Sequence, residues 1–166
     1  MTRRAARSAA ALFVLASCDV GTPARVQAPA DSAAGEVAFE LAGPGGAALV
    51  VPVFINGQGP FDFVLDTGAT FTCVDDALAE RLGLREQTGR VAIGAGIGGA
   101  GRVRLVGIDS IRIGAASAER LTACVLDLQA LQQIGSGVHG LVGLNFLKSF
   151  RVTLDFQRNV VGLHAP

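Results

Sequence analysis

Asp66 is the carboxylate whose setting suggests chemistry. It opens Asp66-Thr67-Gly68-Ala69-Thr70 directly behind the apolar run Phe61-Asp62-Phe63-Val64-Leu65, and so stands where a strand passes into a turn. Alone, such an aspartate hydrogen-bonds its own backbone as an Asx-turn and shapes a loop. Against a second carboxylate it shares a proton, because two close carboxylates cannot both ionise cheaply. The pair can then take a proton from water while the acid form hydrogen-bonds to a carbonyl. No second Asp-Thr-Gly or Asp-Ser-Gly follows: Asp109-Ser110-Ile111 lacks the glycine, and Asp127 in Leu126-Asp127-Leu128 lacks small turn residues. Other chemistries find less support. Gly135-Ser136-Gly137 is not a Gly-x-Ser-x-Gly elbow and has only His139 nearby. The glycines of residues 94–101 are not followed by Gly-Lys-Ser/Thr, so they do not form a phosphate loop. His139, His164 and the two later cysteines are scattered through the chain and form no close metal-ligand cluster, and both histidines are expected to be surface or hydrogen-bonded residues. No metal and no cofactor is expected. Lys plus Arg number 14 against 14 Asp plus Glu, with no basic block beyond the first residues, so nothing marks a nucleic-acid partner.

Short strands must position Asp66. Val37-Ala38-Phe39-Glu40-Leu41 predicts a strand closed by Gly43-Pro44-Gly45-Gly46. The run from Leu49 to Ile55 and the run from Phe61 predict a hairpin joined through Asn56-Gly57-Gln58-Gly59-Pro60. Pro52 lacks an N–H, which places the first arm at a sheet edge or a local irregularity. A short helix is predicted from Asp75 to Gly83, with acids at its start, an apolar face and a closing glycine. Arg90-Val91-Ala92-Ile93 and Val103-Arg104-Leu105-Val106 read as arms around Gly94-Ala95-Gly96-Ile97-Gly98-Gly99-Ala100-Gly101. That tip moves readily because ordering glycine backbone costs extra entropy. Ile108, Ile111 and Ile113 lead to Gly114, and Leu121 to Leu128 predicts a further strand before a polar turn or short helix. After Val138-His139-Gly140-Leu141-Val142-Gly143 comes a short helix with Asn145 as its N-cap. Two terminal strands, from Arg151 and from Val160, are then turned by Gln157-Arg158-Asn159. Many short strands with little helix predict a compact all-β fold.

The two segments Asp66-Thr67-Gly68-Ala69-Thr70 and Gly140-Leu141-Val142-Gly143, in this order, resemble the two signature elements of the retroviral-type (retropepsin-like) aspartic proteases, over about residues 37–163. The resemblance implies a closed β-barrel with short helices and a glycine-rich flap hairpin. It also implies that Asp66 is the catalytic carboxylate. Thr67 would tie two active-site loops together, Gly68 would let them approach, and Ala69 and Thr70 would complete the turn. Residues 94–101 would be the flap over a polypeptide substrate, although its tip carries no aromatic residue. With one such loop per chain, the second Asp66 would come from another copy, making a homodimeric endopeptidase. The family often has an aspartate where this chain has Asn145. The alternative use of such a domain is noncatalytic, as a peptide-binding or scaffolding module.

The front of the chain has a separate task. Arg3, Arg4 and Arg7 precede the short apolar run from Ala9 to Ala16, the order of an export signal, and Leu15-Ala16-Ser17-Cys18 resembles the cleavage and lipidation site of a bacterial lipoprotein. Residues 1–18 are thus expected to be a signal ending at lipidated Cys18, residues 19–35 a flexible linker, and residues 36–166 the protease-like domain. Such a protein would be held by a lipid anchor on a cell membrane, facing the periplasm or another extracytoplasmic space. That location would permit a disulfide between Cys73 and Cys124, with two buried thiols as the alternative.

Overall fold

The computed structural model describes residues 14–16, 25–27, 35–87, 92–96, 99–127 and 137–166. In chain order the elements are β1 (Val14–Ala16), β2 (Arg25–Gln27), β3 (Glu36–Ala38), β4 (Glu40–Ala42), β5 (Ala48–Ile55), β6 (Gln58–Leu65), β7 (Cys73–Asp75) and α1 (Asp76–Arg81). They continue with β8 (Arg85–Glu86), β9 (Ala92–Gly96), β10 (Gly99–Ile113), β11 (Ala116–Leu126), β12 (Val138–Val142), α2 (Leu144–Leu147), β13 (Arg151–Asp155) and β14 (Val160–His164). Among the described residues no helix is long and apolar enough to cross a membrane.

Alternation in the strands builds the core. Val51, Val53 and Ile55 of β5 are fully buried, while Pro52 and Phe54 between them are only half-buried. β6 buries Phe63 and leaves Asp62 exposed. Neighbours run β5, β6, β12, β7, β11, β10, and β10 returns to β5 through Ile111 and Arg112, which closes a barrel of six strands. Its interior holds Phe63, Phe146, Ile55, Ile108 and Ile111. The fold is therefore all-β and closed, as the strand pattern and the resemblance led us to expect.

Several details differ from the sequence expectation. The first hairpin turns on Asn56 and Gly57 alone, with φ of 50° and 77°, and Ile55 already pairs with Gln58. Asn56 then clamps the tip to β10, donating its N–H to Ser110 O and accepting from Ser110 N through Oδ1. Pro52 lies in an inner strand rather than at an edge. It falls where β5 exchanges its neighbour β4, paired at Val50, for β10, paired at Phe54, so a ladder is interrupted there. The arm beginning at Val103 and the isoleucine segment are one strand, β10, of 15 residues. β13 and β14 form a separate three-stranded sheet with β3. His164 is buried, and its Nδ1 has no partner among the described residues, contrary to a surface or hydrogen-bonded placement. His139 is half-buried against the Phe61 ring, again with Nδ1 unpartnered among the described residues.

The anticipated tether contains β2, which pairs with β11, and part of the anticipated signal forms β1 on β9. Cys18, the remainder of residues 1–34, the segment 128–136 expected as a turn or short helix, Arg90, Val91, Ile97 and Gly98 lie outside the described residues.

Candidate active site

β6 and β12 are parallel neighbours, with Leu65 beside Val142. Their C-terminal ends therefore emerge side by side, and this register brings Asp66 and Gly143 together from opposite halves of the chain. The Asp66 N–H donates to Val142 O at 3.0 Å. The Leu144 N–H donates to Ala69 O at 2.7 Å, and the Asn145 N–H to Thr70 O at 3.0 Å. The approach is close enough that a Cβ on Gly143 would lie 2.8 Å from Ala69 O and run into the Phe71 carbonyl. Gly140 serves packing in the same way, since a Cβ there would enter the Phe63 ring.

Within its turn Asp66 is half-buried, and its Oδ1 accepts the Gly68 N–H at 2.8 Å. Ala69 is buried, Thr70 half-buried and Thr67 exposed. The four residues Gly140, Leu141, Val142 and Gly143 are all buried. The loop is thus an Asx-turn fastened from below, which fixes the direction in which the carboxylate leaves the barrel.

Asn145 is not the helix cap. Gly143 occupies the N-cap of α2 with no side-chain cap, and Asn145 lies inside the helix. The carboxamide instead spans three segments. Its Oδ1 accepts from Thr72 N at 2.7 Å and from Thr72 Oγ1 at 3.0 Å, while its Nδ2 donates to Thr122 O at 2.7 Å. Thr72, fully buried, also accepts the Gly143 N–H through Oγ1 at 3.2 Å. Sequence reasoning missed Thr72. The signal available was a hydroxyl within the otherwise apolar run Phe71-Thr72-Cys73-Val74, where a buried polar group must have partners.

Cys73 and Cys124 are direct partners across the parallel β7–β11 pair, with Cα atoms 4.4 Å apart, and are joined by a disulfide. The glycine-rich segment is a hairpin in which β9 and β10 pair from Ala92 opposite Val103 to Gly96 opposite Gly99. Of the residues expected in the flap, Gly94, Ala95, Gly96, Gly99, Ala100 and Gly101 lie on these two strands.

Comparison with known proteins agrees with this architecture. No curated protein matches the chain. Among solved structures, a retropepsin-like aspartic protease from Rickettsia conorii is similar, with TM-score 0.52 and 17% identity over 89% of this chain and 100% of the other. The retroviral protease-like domain of Ddi1 from Leishmania major matches with TM-score 0.41 and 19% identity, over 72% of this chain and 92% of that one. A family model described as aspartyl protease matches residues 51–146, a span that contains the Asp66 turn, the glycine-rich hairpin and the Gly140-to-Gly143 segment. With more than half of the chain inside that match and a retropepsin-like fold around it, the chain belongs to the aspartyl protease family.

Proposed function

We propose that this protein is an aspartic endopeptidase in which two copies each contribute Asp66 to one site. The observation that carries the reading is the fastening of a single Asp-Thr-Gly turn onto the end of β12, which holds one carboxylate at a defined place and leaves its Oδ2 without a hydrogen-bond partner among the described residues. One carboxylate cannot serve as both base and acid. Paired across a two-fold axis, the two share one proton. The ionised member accepts a proton from water, whose oxygen attacks the peptide carbonyl carbon, while the protonated member gives its proton to the carbonyl oxygen. The resulting tetrahedral diol collapses as the protonated carboxyl passes its proton to the amide nitrogen and the other carboxylate takes one from a diol hydroxyl. The C=O bond re-forms as the C–N bond breaks, releasing an acid and an amine and leaving the pair with its single shared proton.

In this reading Thr67, exposed beside Asp66, meets its counterpart across the axis, and the β9–β10 hairpin closes over an extended polypeptide that pairs with its backbone. Asp66→Asn should keep the fold and abolish cleavage of an unfolded protein substrate between about pH 3 and 7, where a shared-proton pair changes state. Excess Asp66→Asn chain, after subunit exchange, should also silence wild-type chain. Full activity in an isolated wild-type monomer would overturn the two-copy mechanism. Asp66-independent binding of peptides without cleavage would favour a noncatalytic binding role.

The reading extends to location. Cys18 is the lipid attachment site that holds the domain at a membrane on the extracytoplasmic side, supported by the basic and apolar order ahead of Leu15-Ala16-Ser17-Cys18. Intact-mass measurement after expression in a bacterial host should find diacylglycerol on Cys18, and a chain retaining an unmodified Met1 would refute the anchor.

A further inference from the structure

The hydrogen bonds below Asp66 do not stop at Thr122. Thr122 stands on β11 opposite Gly107 of β10. On the far side of β10, β8 pairs with Val106 and Gly107, and Gln87 follows β8 directly, donating its N–H to Leu105 O at 2.8 Å. The Gln87 side chain crosses β10 to reach Thr122: Nε2 donates to Thr122 Oγ1 at 3.2 Å, and Oε1 lies 3.3 Å from the same hydroxyl as acceptor. Gly107 makes the crossing possible. A Cβ placed there would sit 3.6 Å from Gln87 Nε2, in ordinary contact, so a side chain longer than a methyl group would block the path.

We propose that Gln87, Thr122, Asn145 and Thr72 form one polar brace that positions the base of the glycine-rich hairpin against the Asp66 turn. Gln87 holds the hairpin at its root, because its backbone is bonded to the outgoing arm at Leu105 and its chain continues toward the incoming arm, β9. Thr122 links the two halves through different groups, its hydroxyl to Gln87 and its carbonyl to Asn145. Asn145 passes the connection to Thr72, at the end of the Asp66 turn. These are positioning residues; none is placed to touch the scissile bond. The inference rests on the peptidase reading for its purpose but not for its geometry.

The brace also explains the amide at position 145. Its oxygen faces two donors and its nitrogen faces a carbonyl, a pattern met by a carboxamide or a protonated carboxyl group and broken by a carboxylate. Asn145→Asp therefore makes the brace pH-dependent. In the full-length protein, amide hydrogen exchange expressed as protection factors removes the intrinsic pH dependence of exchange. At pH 7 the aspartate still accepts from both Thr72 donors but sets a carboxylate oxygen against Thr122 O, so protection should hold at Thr72 and fall about tenfold at Gln87, which Asn145 reaches through Thr122. Protection at Gln87 should recover as the pH is lowered toward about 4 and the carboxyl group protonates. Thr122→Val, which removes the hydroxyl and keeps the carbonyl, should lower protection at Gln87 at both pH values. Unchanged protection at Gln87 in Asn145→Asp, or loss there that persists at pH 4, would overturn the brace. Exchange needs no substrate, so this result stands apart from whether the wild-type chain cleaves peptides.

Discussion

At the scale of single residues, Thr72 is the polar group on which most depends. Its hydroxyl donates to Asn145 and accepts from Gly143 N–H, and its backbone N–H and carbonyl are both engaged, the carbonyl by Cys124 N–H at 2.9 Å. Thr72→Val preserves shape but leaves the Gly143 N–H unpaired in a buried position. It should cost about 1–3 kcal/mol, seen as a lower urea midpoint with unchanged slope. Thr72→Ser, which keeps the hydroxyl, should lose less, and equal losses in the two variants would show that the methyl group rather than the hydrogen bonds is responsible. Asp66 was legible in the sequence because its turn chemistry is local: aspartate, threonine and glycine adjoin one another behind a strand. Asn145 was legible as a polar residue at a helix start but not as a strut, because its partners lie 73 and 23 residues away. Only the barrel register makes them neighbours.

At the scale of elements, the strands that carry the site were readable from alternation, and the β5–β6 hairpin from its local Asn56-Gly57 turn. The parallel pairing of β6 with β12 was not, because it joins segments most of the domain apart and no local turn marks it. The terminal hairpin was equally visible, yet its partner, β3, comes from the start of the domain. Around that junction Val37 pairs with Val161, Phe39 packs edge-on against Phe156 at 5.7 Å, and Arg158 binds Glu36 at 2.6 and 3.0 Å. The hydrogen bonds from Arg158 hold the Glu36 carboxyl below its ordinary value of 4.5. A depressed folded-state value means that the stabilisation is complete above the unfolded value and is lost as the pH falls through the folded one. The pair is exposed, so the effect is small and screened by salt. Glu36→Gln should therefore lower the urea midpoint slightly at pH 7 and at low salt, with the difference from wild type shrinking and then vanishing as the pH falls through the depressed folded-state value. A difference that stayed constant as the carboxyl group protonates would assign the loss to packing of β3 rather than to charge.

At the scale of the whole molecule, a closed barrel still needs its two halves held in register, and the disulfide does this beside the site. Cys73 ends the segment that begins at Asp66 and bonds to Cys124 on β11, two residues from Thr122. The loop it closes, with a sequence separation of 51, contains α1, β8 and both arms of the glycine-rich hairpin. Cross-linking over such a length restricts the unfolded chain and should stabilise the fold by about 4 kcal/mol on the chain-entropy model. Both cysteines are fully buried, so reduction calls for a thiol under partly denaturing conditions. The oxidised chain should then unfold at a urea midpoint higher than the reduced chain by more than about 1 M. Because Cys124 N–H also bonds Thr72 O, reduction should loosen the Asp66 turn before it opens the β13–β14 sheet, which the bridge does not touch. Hydrogen exchange can separate the two: protection falling further at residues 67–72 than at 151–164 supports a local clamp added to the effect on the unfolded chain. A uniform fall across both would show that the bridge acts on the unfolded state alone, and coincident midpoints would show that the paired strands β7 and β11 hold their register without it.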